Sequence, residues 1–365
     1  MLEDLKLNQL PVPTWNRLKM NDCVLQGLSV PQDVCEARVS LEGSVCLNKN
    51  NSTACGCGST PCAVHGMAFA AVPTGVGTDM AKLGEGQSLR LVADAGKSVA
   101  AVTLRYNDND KCYNRLEIDA HAGSDLTVVM TYISTAAAAG EASVQTKLLL
   151  GAGARVKLVQ VQLLGRGFVH INDVGADLAD GTSLEVLQLA LGADKIYDGV
   201  RAELTGEGSS LNAAVGYYGR RGQQLDMNFI ANHYGKKTTC TMSADGVLQQ
   251  GARKLYRGTI DFKNGCAGAT GDEKETVLLL SDDVVNQTIP LILCSEEDVQ
   301  GNHGASIGKL DEELLFYLMS RGFSEQEAVN MMAKAKIDAL CRQIDEEETV
   351  ALVQRYLEGV MADGQ

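Results

Sequence analysis

Large rings are scarce in this 365-residue chain: one Trp, six Phe and ten Tyr amount to 5% of the residues, against a hydrophobic share of 45%. A chain of this length buries a large core, and here that core has to be built from small and aliphatic side chains. Proline is rare as well, 6 residues beside 38 Gly, and five His leave few candidates for hydrolytic or hydride chemistry. Basic charge is short: 32 Lys and Arg against 46 Asp and Glu give a net charge of -14. Such a surface repels phosphate backbones and anionic headgroups, so neither nucleic acid nor a membrane surface is an expected partner. No run approaches the ~20 apolar residues of a membrane span. The opening MLEDLKLNQL lacks the charged-then-apolar pattern of an export signal, which points to the cytoplasm. There is no P-loop, no G-x-S-x-G elbow and no H-E-x-x-H, and GAGAR at 151 lacks the third glycine of a dinucleotide fingerprint. A self-contained active site is therefore not expected, and the chain reads as non-catalytic.

What is present divides into three parts. Residues 1–87 hold six of the eleven Cys and five of the six Pro, with turn-rich text from 48 to 62, and read as an irregular N-terminal segment with short strands. Residues 88–307 consist of short alternating runs, such as Leu126, Val128, Met130 and Tyr132, separated by glycine-bearing turns. Gly181 and Gly208 lie 27 residues apart, and Gly222 follows at about half that interval. That punctuation predicts a stacked β-solenoid, in which each coil buries its inward face on its neighbours through ladders of Val, Leu, Ile and Ala. A β-sandwich would also explain the strands, but its core ordinarily uses more aromatic residues. Residues 308–365 switch to helical period. Asp311 is placed to cap a first helix that Gly322 ends, Ser324 and Glu327 form a capping box for a second, and the acidic run at 345–348 opens a third. These helices either cap the solenoid end or present a docking surface.

The odd number of cysteines, unevenly spread, argues against a disulfide framework. The sharpest local chemistry is Cys55, Cys57, Cys62 and His65, three thiolates and an imidazole within eleven residues. Such a set could hold zinc or an iron-sulfur cluster, although C-x-C is tighter than the usual zinc spacing. His303, between Asn302 and Gly304, has little cover from its neighbours and can reach a metal or a partner. His233 reads as a histidine stacked within the solenoid ladder, Cys294 as a core residue after an apolar strand, and Arg220 with Arg221 as a solvated basic turn.

From Lys254 onward the chain carries, in order, Tyr256-Arg257-Gly258 with Ile260, the LLLSDD strand and turn, Pro290 in its strand, His303-Gly304-Ala305-Ser306, and LDEELLFYLMSRG. This series resembles the SufB/SufD family of iron-sulfur cluster assembly scaffolds. The Asn302-His303-Gly304-Ala305 text is closer to the SufD-type element, and Glu275 or a neighbour stands where SufB-type chains carry a cysteine. Upstream, DMNFIANHYG and PTWNRLKMN also look like the family.

The resemblance implies a right-handed parallel β-helix with flanking terminal parts. It also implies pairing with a SufB-type paralogue, or with a second copy, through the solenoid ends. The C-terminal helical part, with Leu314, Phe316, Tyr317 and Arg321, would dock a SufC-type ABC ATPase that supplies the ATP hydrolysis. A transient cluster would be assembled at the subunit interface with His303 as a ligand, then passed to apo iron-sulfur proteins or carriers. No residue pattern bears on whether a flavin is bound. Two rival readings are an iron- or zinc-binding module built on the Cys55, Cys57, Cys62 and His65 group, and a polysaccharide-acting β-helix enzyme, which the scarcity of aromatics disfavours.

Overall fold

The computed structural model describes residues 2–49, 68–309 and 311–362. Its centre is a sixteen-stranded sheet folded over on itself. The strand β4 (Gln87–Arg105) turns the corner, its first half pairing with β5 (Lys111–Ala120) and its second half with β6 (Ser124–Ile133). From there the odd-numbered strands stack as one face, through β7 (Ala139–Leu150), β9 (Gly167–Leu178), β11 (Lys195–Leu204), β13 (Gln224–His233) and β15 (Arg253–Phe262) to β17 (Val285–Cys294). The even-numbered strands form the other face, through β8 (Arg155–Leu163), β10 (Ser183–Ala190), β12 (Ser210–Gly219), β14 (Thr239–Leu248) and β16 (Ala269–Leu279) to β18 (Val299–Lys309). All of these pairings are parallel and in register, with an offset of 27 to 31 residues between successive even strands. The fold is the expected parallel β-solenoid, and the half-interval glycines are explained by two strands, hence two corners, per coil.

In-register stacking places like side chains above one another, so the interior is a set of ladders. One column runs Leu148, Ala176, Ala202, Ala231, Ile260, buried throughout. The scarce aromatics are not kept out of this interior. Tyr106, Tyr132, Phe168, Tyr217, Phe229, Tyr256 and Phe262 all lie within it. Tyr132 is accommodated by a polar file, accepting a hydrogen bond from Gln160 Nε2 at 2.9 Å while Asn172 and Gln188 each donate to Gln160 Oε1 at 2.9 Å. The Tyr132 hydroxyl and the Gln160 amide are thus satisfied by neighbours across the interior and one coil away. His233 is buried as expected, its ring 4.8 Å from that of Phe262 on the next coil.

One corner shows why glycine punctuates the sequence. Gly123, Gly153, Gly181, Gly208 and Gly268 all have φ between 63° and 77°. The N–H of each of the first four donates to a carbonyl in the next coil's turn, at Ala152, Asp180, Glu207 and Lys236. A left-handed residue at this point continues the coil-to-coil hydrogen bonding around the bend. Lys237 occupies the same place, with φ 55° and its N–H on Ala267 O, and is the non-glycine member of the series.

Both outer faces are covered. The N-terminal segment crosses the odd-numbered face, where Leu5, Leu7, Leu25, Leu28, Val76 and Met80 pack with Tyr113, Ile171 and Tyr197. Its backbone at residues 73–76 lies so close to Gly175 and Gly199 that a Cβ at either position would overlap it. A buried network fixes the approach: Arg257 pairs with Asp226 at 2.5 Å and donates to Met20 O at 2.7 Å, and Asn8 Nδ2 donates to Asp226 Oδ1 at 2.7 Å. This segment is less irregular than its text suggests. Residues Glu36–Lys49 form the strand β3, which runs antiparallel along β4 with a register shift between Gly43 and Val45 and closes the first edge of the solenoid. The expected division at residue 87 thus falls between two strands that hydrogen-bond to each other.

The C-terminal helices are α1 (Glu312–Ser320), α2 (Glu325–Cys341) and α3 (Glu347–Ala362). Asp311 caps α1 through Glu313 N and Leu314 N, and Ser324 with Glu327 closes the capping box of α2. Gly322, at φ 99°, follows α1. Helices α2 and α3 do not sit over the solenoid end. Ala333, Ile337, Leu340, Val353 and Leu357 pack on Val159, Val161, Leu187, Leu189 and Ala214 of the even-numbered face. No helix among the described residues is long and apolar enough to cross a membrane.

The corner series makes a direct prediction. Replacing Lys237 with Gly removes the left-handed cost of a residue with a Cβ, about 1 kcal/mol, and should raise the midpoint of thermal unfolding. Gly181→Val should lower it by a larger amount, because β-branching worsens the same conformation. Equal midpoints for Lys237→Gly and the parent would show that the corner tolerates a Cβ freely.

Candidate functional site

The two edges of the solenoid are unlike. The first ends in β3, laid antiparallel along β4, whereas the second ends in two parallel strands: among the described residues β17 pairs only with β15 and β18 only with β16. The last coil therefore exposes a row of backbone N–H and C=O groups. Pro290 of β17 has no N–H to offer to this edge, and among the described residues no further strand pairs with it. Residues 300–309 of β18 are all exposed.

His303 stands on this strand, in register with Glu273 of β16. In a parallel pair, register partners project to the same side, and Glu273 points into the solenoid interior. Gly301 belongs to the same inward set, since a Cβ there would lie 3.0 Å from Phe262 Cε2 and 3.2 Å from Ile292 Cγ2. His303 thus sits over the mouth of the interior, while Asn302, on the outward set, donates to Asp272 Oδ1 at 3.1 Å.

Directly beneath lies a cluster of buried charge. Lys254 forms an ion pair with Glu275, and both side chains are essentially inaccessible. Lys254 Nζ also donates to Thr288 Oγ1 at 3.0 Å and Gln287 O at 3.2 Å, and the Thr288 hydroxyl donates to Glu275. The ammonium lies 6.0 Å and 5.9 Å from the ring centroids of Tyr217 and Tyr256. Burial lowers the Lys254 pKa against the opposing pull of Glu275. Glu273 occupies space left by Gly258, where a Cβ would overlap its carboxyl. Burial, reinforced by the charge of Glu275 and opposed by Lys254, pushes the Glu273 pKa up to about 7. Glu275 is therefore a buried carboxylate engaged by a lysine.

Cys294 was expected in the core and is exposed instead. It ends β17, in register with Phe262, and its Sγ donates to Glu296 O at 3.0 Å. The reason is positional. An apolar strand buries its side chains only where another coil covers it, and β17 belongs to the last coil. The rim accordingly offers an imidazole on one strand and a thiol on the other.

The remaining candidates fall elsewhere. Cys55, Cys57, Cys62 and His65 lie outside the described residues. Among the described residues, no three His, Cys, Asp or Glu side chains come together as a metal-binding group. Leu314, Phe316 and Tyr317 are on α1, which has no buried residue, with Phe316 74% exposed. Arg321 lies 5.1 Å over the Tyr317 ring. Met319 and Phe323 are exposed as well, giving one end of the helical part an apolar surface.

These features define a parallel β-solenoid with an exposed histidine on its last coil. Comparison with known proteins gives the family. The model of the family described as "SUF system FeS cluster assembly, SufBD core domain" matches residues 104–336, which include the solenoid from the end of β4 and continue into α2. The chain belongs to this family and is SufD-like. It is 27% identical over 237 residues to the iron-sulfur cluster assembly protein SufD of Bacillus subtilis, covering 64% of this chain and 54% of that protein. A SufBD family protein of Mycobacterium leprae is 24% identical over 60% of this chain and 26% of its own length. One from Staphylococcus epidermidis is 28% identical over 51% of this chain and 38% of its own. The chain thus matches about half or less of the length of these relatives.

The charge cluster yields a pH prediction. Because the folded-state pKa of Glu273 lies above its ordinary value, the folded chain keeps a proton there that the unfolded chain has already lost between about pH 4.5 and 7. The contribution of this group to stability therefore falls across that window and is flat above it. Glu273→Gln removes the titration, so its stability relative to the parent should rise from pH 4.5 to 7 by on the order of 2–3 kcal/mol. Urea denaturation at pH 5 and pH 8 measures it, and a parallel pair of curves would contradict the assignment.

Proposed function

We propose that this chain is a non-catalytic scaffold subunit of the SUF machinery that contributes one wall of a transient site on which an iron-sulfur cluster is assembled. The observation that carries the reading is the unpaired edge of β17 and β18 with His303 at its mouth. A SufB-type paralogue stacking on that edge, or a second copy of this chain, would continue the backbone ladder and bring further ligands opposite His303. The cluster is the cargo of such a site. Ligands divided between two chains can be drawn apart by a conformational change, whereas a closed set of four on one chain holds its metal. Cys294, on the facing strand of the same rim, is placed to join the ligands from this side.

ATP hydrolysis then belongs to a SufC-type partner. Its docking surface on this chain is α1, whose Leu314, Phe316 and Tyr317 are exposed and whose neighbours α2 and α3 are fastened to the solenoid. Movement imposed on the helical part would thereby reach the even-numbered face. Downstream, apo iron-sulfur proteins or carriers receive the product.

Two experiments test the two surfaces separately. In anaerobic reconstitution with SufB-type and SufC-type partners, His303→Ala should cut bound iron and sulfide severalfold without preventing assembly of the complex. Unchanged cluster content would remove His303 from the mechanism. For docking, the double substitution Phe316→Ala/Tyr317→Ala should weaken binding of the ATPase at least about tenfold, as expected for exposed aromatic anchors, and leave pairing with the SufB-type chain intact. Full ATPase affinity in that variant would move the docking surface away from α1.

A further inference from the structure

A cleft of about 900 Å³ lies where the second corner of the solenoid meets α2 and α3. Four arginines line it: Arg166 from the β8–β9 turn, Arg220 and Arg221 from the β12–β13 turn, and Arg355 from α3. Gln249 and Asn330 add neutral polar groups, and no carboxylate is among the lining residues. In a chain with a net charge of -14 this is an unusual concentration of one sign. None of the four guanidinium groups has an ion-pair partner among the described residues, while Arg90, Arg115, Arg201 and Arg257 are paired and Arg155 and Arg253 are not.

Two of the arginines are held in place. Arg220 lies 5.8 Å from the centroid of the Tyr356 ring and donates to its hydroxyl at 3.1 Å, while its Nε is buried with no partner. Arg166 reaches past the intervening coil to donate to the backbone carbonyl of Arg221. Converging guanidinium groups repel one another, and the cost is offset when an anion with several acceptor oxygens takes their donors. The volume is that of a small-molecule site.

We infer that this cleft is a binding site for a small phosphorylated anion, held by Arg166, Arg221 and Arg355 with Arg220 as the oriented floor. The site joins corner turns of the solenoid to the helical layer, so its ligand bridges the two parts of the molecule. It is separate from the open mouth, and it stands whether or not the assembly role proposed above is correct.

Isothermal titration calorimetry of the full chain at low ionic strength, with inorganic phosphate, inorganic pyrophosphate and ADP as probes, tests the inference. Pyrophosphate or ADP should bind with one-to-one stoichiometry and more tightly than phosphate. Tighter binding of ADP than of pyrophosphate would assign the site to an organic phosphate, and equal binding to the inorganic group. Arg166→Gln/Arg221→Gln should weaken the association at least about tenfold, because each change removes a charge-assisted donor. Arg155→Gln, at the other end of β8, should leave it unchanged. All substituted side chains are exposed, and unaltered thermal unfolding checks that the variants are folded. Absence of binding by all three probes at millimolar concentration, or undiminished binding in the double variant, would overturn the site.

Discussion

Every coil of this molecule depends on the coil beside it for its backbone hydrogen bonds. A parallel strand cannot satisfy its own N–H and C=O groups, and a flattened solenoid has no closing pair to return to, so the ladder must begin and end somewhere. At the beginning, β3 runs antiparallel along β4 and is the terminal strand. At the end, β17 and β18 each have a partner on one side only. The same constraint acts on side chains: residues that would be buried in any earlier coil are exposed in the last one, as Cys294 and His303 are. The open end is thus where this fold exposes both backbone hydrogen-bonding groups and the side chains of Cys294 and His303.

The same stacking explains how the outer layers divide their tasks. Two sheet faces with buried apolar residues need cover, and the chain covers them with unlike material. The N-terminal segment lies on the odd-numbered face, fixed by the Arg257, Asp226 and Asn8 network and by close backbone approach at Gly175 and Gly199. Two amphipathic helices lie on the even-numbered face, leaving α1 without a buried residue. A force applied to α1 is therefore passed through α2 to the even-numbered sheet, whose last strand carries His303.

Much of this was legible in the sequence because a solenoid repeats its physics. Alternation marked the strands, and glycines at the left-handed corner marked the coil length. The capping residues Asp311, Ser324 and Glu327 located the helices to within a residue or two. Features that depend on register were not legible. Glu36–Lys49 carries no glycine-punctuated repeat, so its pairing with β4 was invisible. Cys294 follows LIL and reads as interior, because local text does not say which coil is last. Arg220 and Arg221 read as a lone solvated turn. Arg166 and Arg355 are 54 residues before and 134 residues after that pair, too far for any local pattern to connect, yet stacking of corner turns and docking of α3 bring all four to one cleft. Lys254 and Glu275 stand in recognisable family text, but text does not reveal that their charges, or that of Glu273, are buried.

That burial bears on what the open end can become. Ion pairs without water are costly to form and costly to break, so Lys254 and Glu275, tied through Thr288 on β17, hold the last two coils of the mouth in one geometry. Glu273, with its raised pKa, adds a second acidic group against Gly258 without demanding a second lysine. A rigid, internally neutralised floor lets a covering chain dock without compensating stray charge from below. His303 and Cys294 sit above that floor on the two last strands. An interface built this way gains its affinity from backbone pairing along the strands and its chemistry from a few side chains at the rim, so separating the strands releases both together.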